Sequence, residues 1–251
     1  MLRSLFLHLF MIFFSLNLTI CLSQESDIKL IKDRIYQVLI SNDSNLSFPY
    51  TFTTDEELDK VLNEFDGEKW PSIEYDDVSR ENFDNRIHTR NLVILASSYK
   101  NVNSKYFKKP KVKRTIISAL KFWCDNDFIG ENWWNNQIGT PNDLVHLMLI
   151  IGDELPNHLI SISQKIISRA NISSGGSRPG GDRIKVCSIA AKNQLFLNDI
   201  DQFIHIMKII ESEIKFISWI GKDFGYTFTN SNSGGLGSFK NANGRGLQYG
   251  N

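Results

Sequence analysis

An all-α fold is predicted by three features of this 251-residue chain. Apolar residues recur at helical spacing almost from end to end, helix start signals precede several of these stripes, and the connections between them are mostly short. About eight helices joined in this way imply helical neighbours packed in layers. A bundle and a ring of helical hairpins both satisfy that pattern. No segment repeats at a fixed period, which argues against a solenoid.

The elements follow in order. Residues 1–23 read as a signal peptide: Arg3 is the positive start, Leu5 to Ile20 the apolar run, and Cys21-Leu22-Ser23 a small-x-small end with cleavage expected after Ser23. That run is shorter than the roughly 20 residues a membrane helix needs, and Ile20 stands where a lipidation site wants a small residue. The expectation is therefore a secreted or periplasmic protein with no membrane segment after cleavage. The mature part, 24–251, is long enough for one domain. Ile28, Ile31, Ile35, Val38 and Leu39 predict a helix over Asp27–Ile40. Thr54 and Glu57 form a capping box ahead of Leu58, Val61, Leu62 and Phe65.

Asp66 to Asn82 reads as a loop around Trp70-Pro71, whose Trp70 and Tyr75 suit packing or binding. A helix follows over Phe83–Tyr99, with Ile87, Asn91, Ile94 and Leu95 near one face. Another runs from Lys111 to Cys124 behind Pro110, carrying Ile116, Ile117, Leu120 and Trp123. Its basic start, Lys108 to Arg114, reads as a solvated face, with contact to an anionic polymer as the alternative. Thr140 is the expected N-cap of the next helix, with Pro141 in its first turn and a stripe of Leu144, Leu147, Met148 and Ile151. Pro156 opens a further helix through Ile167. After the glycine-rich Asn171–Asp182 loop, two helices carry Ile184, Cys187, Ala191 and Leu195, then Phe203, Ile206, Met207, Ile210, Ile214 and Ile217. Phe224–Asn251 is rich in Gly, Asn and Ser and reads as loop with short strands.

Charge narrows the partners. With 28 basic and 28 acidic residues, the chain has no bulk field to draw nucleic acid or a membrane surface. Cys124 and Cys187 suit either one bridge or two buried thiols. The histidines stand alone, without metal-ligand spacing, so no metal and no cofactor are expected. A monomer is expected.

The unusual stretch is Phe122–Pro141, which holds three of the five tryptophans among seven Asn, Asp and Gln side chains. Buried amides cost free energy without partners, so this mixture is a poor core. Flat aromatic faces beside amides suit a sugar, which stacks through its C–H face and hydrogen-bonds through its hydroxyls. The alternative is that Trp123, Trp133 and Trp134 plug helix ends. As candidate sugar-binding residues this composition gives Trp123, Trp133, Trp134 and Asn135.

Asn132-Trp133-Trp134-Asn135-Asn136-Gln137-Ile138-Gly139-Thr140-Pro141, with Phe122-Trp123 before it, resembles the N-terminal catalytic domain of polysaccharide lyase family 8, which includes chondroitin AC, hyaluronate and xanthan lyases. Asp66-Gly67, Trp70, Gly180-Gly181-Asp182 and Gly246-Leu247-Gln248-Tyr249 match in order. The resemblance implies an incomplete (α/α) toroid whose cleft holds an acidic, glycosaminoglycan-like polysaccharide. It implies carbon–oxygen lyase chemistry by β-elimination next to a uronate, in which an Asn and an Arg handle the carboxylate and a His and a Tyr move the protons. Trp133 and Trp134 match the family's sugar-stacking pair. Its carboxylate-handling Asn falls on Asp182, whose charge would repel a uronate unless Arg183 or Arg178 pairs with it. Asp182 and Arg183 are thus the candidate catalytic residues, with a helix N-cap as the other reading of Asp182. The family's His and Tyr follow its Gly-Leu-Gln-Tyr string, where this sequence has Gly250 and Asn251, and its β domains find no counterpart. The expectation is a lyase fragment, inactive alone. The alternative is a carbohydrate-binding protein that keeps the aromatic platform without catalysis.

Overall fold

The structure is a computed structural model that describes residues 25–41, 54–81, 83–173 and 181–213. The expected signal peptide, the glycine-rich loop from 174 to 180 and the expected C-terminal strands lie outside these residues, as do Ile214 and Ile217. Within them every regular element is a helix: α1 (25–40), α2 (Asp55–Asn63), α3 (Asn85–Lys100), α4 (Pro110–Asn126), α5 (Thr140–Ile151), α6 (Asn157–Ile167), α7 (Gly181–Leu197) and α8 (Ile200–Glu213). A π-turn, Asn135–Gly139, leads into α5, and a 3-10 turn, Gly152–Glu154, leaves it. None of these helices is long and apolar enough to cross a membrane.

The chain divides into two compact units, Met1–Val38 and Leu39–Asn251. In the first, α1 carries an exposed i, i+4 pair of Lys29 and Asp33, and Leu30 and Ile31 of the same helix are exposed. In the second, sequence neighbours are mostly spatial neighbours. The α3 helix packs on α4 and α5, α5 on α6 and α7, and α7 on α8. The α5 helix is the hub, with Leu144, Val145, Leu147, Met148, Ile150 and Ile151 all buried. Its sequence is apolar nearly all round, which is the pattern of a helix enclosed by others.

Local signals fix the helix ends. Thr54 accepts a hydrogen bond from the Glu57 amide while Glu57 returns one from the Thr54 amide, the expected capping box. Asp127 stops α4 in a left-handed conformation, φ 47°, and its amide donates to the Trp123 carbonyl. At the far end of the same layer, Glu154 accepts from Tyr99, Lys100 and Lys113, joining α3 and α4 to the 3-10 turn. Burial alone would raise the Glu154 carboxyl, but these partners outweigh it and bring it down to about 2. Lys113 of the basic run is therefore paired, whereas Lys111 and Arg114 are solvated as expected.

Three expectations are corrected. The face assigned to α3 holds only in part: Asn91 and Leu95 are buried, but Ile87 is 41% exposed while Asn85, Arg86, His88 and Thr89 turn inward. Their polar groups find partners inside, which apolar periodicity cannot reveal. On α8, Met207 is likewise exposed, and only Phe203 and Ile206 of the described stripe are buried. Thr140 is no N-cap: it has helical angles and its amide donates to the Asn135 carbonyl five residues back. Pro141, which has no N–H and whose ring crowds the carbonyl four residues before it, is tolerated there because the wider π-turn precedes it. Of the two readings open for Cys124 and Cys187, the structure has the second: both are free, buried thiols, and burial pushes Cys124 up to about 11.

Trp70 and Tyr75 pack rather than bind. They close over His88 with Phe122, Trp123 and Phe128 in a cluster of ring contacts 4.8 to 5.8 Å apart. The His88 Nε2 bonds the Ala119 carbonyl at 2.9 Å, so Nε2 carries the proton, and Nδ1 accepts from the Tyr75 hydroxyl at 2.8 Å.

Candidate functional site

The site is built around one continuous helical path from Trp133 through the π-turn into α5. Asn132 starts it, its side-chain oxygen accepting the Trp134 amide at 3.1 Å. Asn136 holds the preceding turn by exchanging two hydrogen bonds with Gly130, at 2.9 and 2.7 Å. These two amides, and Asn126, which donates to the Phe122 carbonyl, are spent on backbone and not turned toward a sugar. The amide-rich composition is thus explained in large part by loop construction.

Trp133 and Trp134 are both half-exposed, as is Asn135. The π-turn widens the helix just after the two tryptophans, and such bulges are frequent at functional sites. Trp134 is held by cations: the Arg86 guanidinium lies 5.3 Å and the Lys185 ammonium 5.5 Å from the ring centroid. Arg86 itself is anchored. Its Nε and Nη2 donate to the Asp143 carboxylate at 3.1 to 3.3 Å, and the Thr89 hydroxyl adds a 2.7 Å bond to the same carboxylate. Burial pushes the wholly enclosed Asp143 carboxyl up, while Arg86 and Thr89 oppose that rise.

Gly139 makes this packing fit. A Cβ there would fall 2.7 Å from the Arg86 Nε and 2.8 Å from its Cζ, so a side chain would push the guanidinium off its carboxylate. The Ile-Gly-Thr-Pro string is explained residue by residue: Ile138 and Thr140 are buried, Gly139 admits Arg86, and Pro141 follows the π-turn.

The first turn of α7 completes the arrangement. Asp182 lies within that turn, with one carboxylate oxygen buried and without a hydrogen-bond partner. Three residues on, along the same face, comes Lys185. Its ammonium is pulled down by burial and pushed back up by Asp182. The π-turn touches α7, so Trp134, Lys185 and Asp182 form one locality. Arg183 does not join it. Its Nε donates to Glu213 at 2.7 Å and its Nη1 to the Ile172 carbonyl at 3.3 Å, tying α7 to α8 and to the preceding loop.

Trp123 is excluded from sugar binding. It is 0% exposed in the aromatic cluster around His88, so a substrate has no path to it. The reason is its place on the inner face of α4, one turn above Leu120 and Ala119. Sequence reasoning also missed Arg86 and Lys185, and it gave neither Gly139, seen only as part of the matching string, nor Asp143, seen only as a helix-start charge, its place against Arg86. The spacing of Asp182 and Lys185 on one helix face was a usable signal for Lys185; nothing local marked Arg86 as the partner of a residue 57 positions away.

Other titratable groups are occupied elsewhere. His146, 0% exposed on α5, meets the Lys192 ammonium of α7 at 2.8 Å through Nε2, which must accept and hence be unprotonated. Burial pulls Lys192 down to about 8. Among the described residues no three His, Cys, Asp or Glu side chains gather to hold a metal.

Comparison with known proteins agrees with this helical fold. Residues 36–218 match the "Polysaccharide lyase family 8, N terminal alpha-helical domain". An 82-residue stretch is 30% identical to chondroitinase-AC of Pedobacter heparinus, covering 33% of this chain and 12% of that protein. A solved chondroitinase AC lyase superposes with a TM-score of 0.65 at 21% identity, over 79% of this chain and 29% of the enzyme. Paenibacillus xanthan lyase gives 0.58 at 17% identity, over 84% and 22%. Streptomyces coelicolor A3 chondroitin AC lyase, solved with chondroitin sulphate, gives 0.58 at 13% identity, over 83% and 31%. The chain therefore spans under a third of each relative's length. The fold is the one these enzymes share, the α-helical toroid domain that the resemblance implied.

Proposed function

Since the chain belongs to polysaccharide lyase family 8, through the N-terminal α-helical domain matched over residues 36–218, we propose that it supplies one wall of a cleft for a uronate-containing, glycosaminoglycan-like polysaccharide. Trp133 and Trp134 are the stacking platform and Asn135 flanks them. The observation that carries this reading is the held, half-exposed Trp134, set between Arg86 and Lys185 at the π-turn. An aromatic face bordered by cations suits a sugar that is flat on one side and anionic on another. Export from the cell and a monomeric state belong to the same proposal.

β-Elimination needs a base at C5 and an acid at the leaving oxygen. The described residues offer a hydrogen-bonded His–Tyr pair, His88 and Tyr75, but both side chains are buried and the pair is enclosed by rings. His146 is buried as well. We assign the proton transfers to groups outside the described residues of the full-length enzyme and expect this chain alone to be inactive. The purified chain mixed with chondroitin sulfate or hyaluronan is expected to give no rise in the ultraviolet absorbance of an unsaturated uronate. Sustained turnover, abolished by boiling, would overturn the inactivity.

The buried state of His88 and His146 also favours a second reading, a binding protein that keeps the platform and lacks catalysis. The two readings share the platform and differ only in turnover by the full-length product.

A further inference from the structure

The cations around Trp134 are not equivalent. Arg86 is 8% exposed and committed to Asp143 through both Nε and Nη2, so it serves the fold and the back of the platform. Arg183, the cation expected to offset Asp182, donates instead to Glu213 and to the Ile172 carbonyl. Lys185 combines what the other two have singly. It is half-buried, as Arg183 is, and its ammonium lies against the Trp134 ring, as the Arg86 guanidinium does, while standing one helical turn from Asp182.

We propose that Lys185 is a specificity-determining residue of the platform: its ammonium receives the acidic group, carboxylate or sulfate, of the sugar stacked beside Trp134. The inference rests on the polysaccharide-binding reading above and deepens it. Two problems are resolved by it. Asp182 occupies a position where its negative charge would repel a uronate, and Lys185 places a positive charge near both that carboxylate and the ring on which the sugar lies. An ammonium partly stripped of water beside an aromatic face also gains more from an anion than a fully hydrated lysine does. The flexible four-carbon stem lets Nζ follow an anionic group along the ring, so a point charge suits the task better than a fixed fork.

The test is lysine acylation of the native chain at mildly alkaline pH, read by mass spectrometry, with hyaluronan, chondroitin sulfate, dextran sulfate or uncharged dextran present. Protection of Lys185 by hyaluronan assigns a carboxylate, and protection by dextran sulfate alone assigns a sulfate. Uncharged dextran is expected not to protect. In affinity electrophoresis Lys185→Met is expected to lose about ten-fold or more in affinity for the protecting polymer, a charged hydrogen bond's worth, and Lys185→Arg to keep most of it. A polymer that binds and is released by Trp134→Ala, while Lys185 stays fully reactive and Lys185→Met binds like wild type, overturns this inference and leaves the platform standing. A wild-type chain that binds none of the anionic polymers overturns both.

Discussion

Replacing Asp143 with alanine is expected to lower the unfolding free energy by about 3–5 kcal/mol, the cost of leaving one partner of a buried ion pair uncompensated. Asp143 is 0% exposed and is the acceptor for Arg86 and Thr89 together. A domain of ordinary stability has about 5–15 kcal/mol to lose, so the variant sits near the edge of folding. Urea unfolding followed by circular dichroism measures the loss. Removing both charges, in Asp143→Ala with Arg86→Met, is expected to restore part of it, because no stranded guanidinium remains. A single variant within about 1 kcal/mol of wild type would mean that the pair does not anchor α3 to α5. The consequence reaches the site, since the guanidinium that Asp143 holds is also the one against Trp134.

Acidification is expected to remove about 3 kcal/mol through His88 alone between pH 6.5 and 4. Burial lowers His88 from 6.5 to about 4, with the Ala119 carbonyl opposing. The sign follows from which state binds the proton. An unfolded His88 protonates as pH falls through 6.5 while the folded one stays neutral, so its contribution is full above 6.5 and is lost as pH approaches 4. Charging the ring would also put two donors, Nδ1–H and the Tyr75 hydroxyl, face to face unless the hydroxyl turns away. Urea midpoints at pH 7 and pH 4 test it. The drop in wild type is expected to exceed the drop in His88→Gln by about 3 kcal/mol, the remainder coming from groups such as His146, which burial also pulls down. Equal drops in the two proteins would show that His88 is not held neutral.

Much of the helical order was legible in the sequence because it is carried by local signals. The capping box at Thr54, Pro110 in the first turn of α4, and the apolar run of α5 each act within a few residues. What was not legible depends on partners distant in sequence. Arg86 and Asp143 are 57 residues apart, His88 and Ala119 31 apart, and neither pair leaves a periodic trace. Thr140 illustrates a local rule that loses to context: Thr-Pro normally opens a helix, but the preceding π-turn carries the helix through it. At the site, composition overstated the amides of the Phe122–Pro141 stretch, since Asn126, Asn132 and Asn136 build the loop. It also placed Trp123 with Trp133 and Trp134 as sugar binders, although a ten-residue separation puts Trp123 on the inner face of another helix.

The measurement closest to the central claim is affinity electrophoresis of the chain through gels containing hyaluronan or chondroitin sulfate, with Trp133→Ala and Trp134→Ala run beside wild type. Retardation of wild type is expected in the acidic gels, weaker in each variant, with both variants folded because the two rings are half-exposed rather than core. Unretarded wild type would contradict the platform. So would variants that migrate like wild type while losing around 3 kcal/mol of stability each, the behaviour of tryptophans that only fill a core.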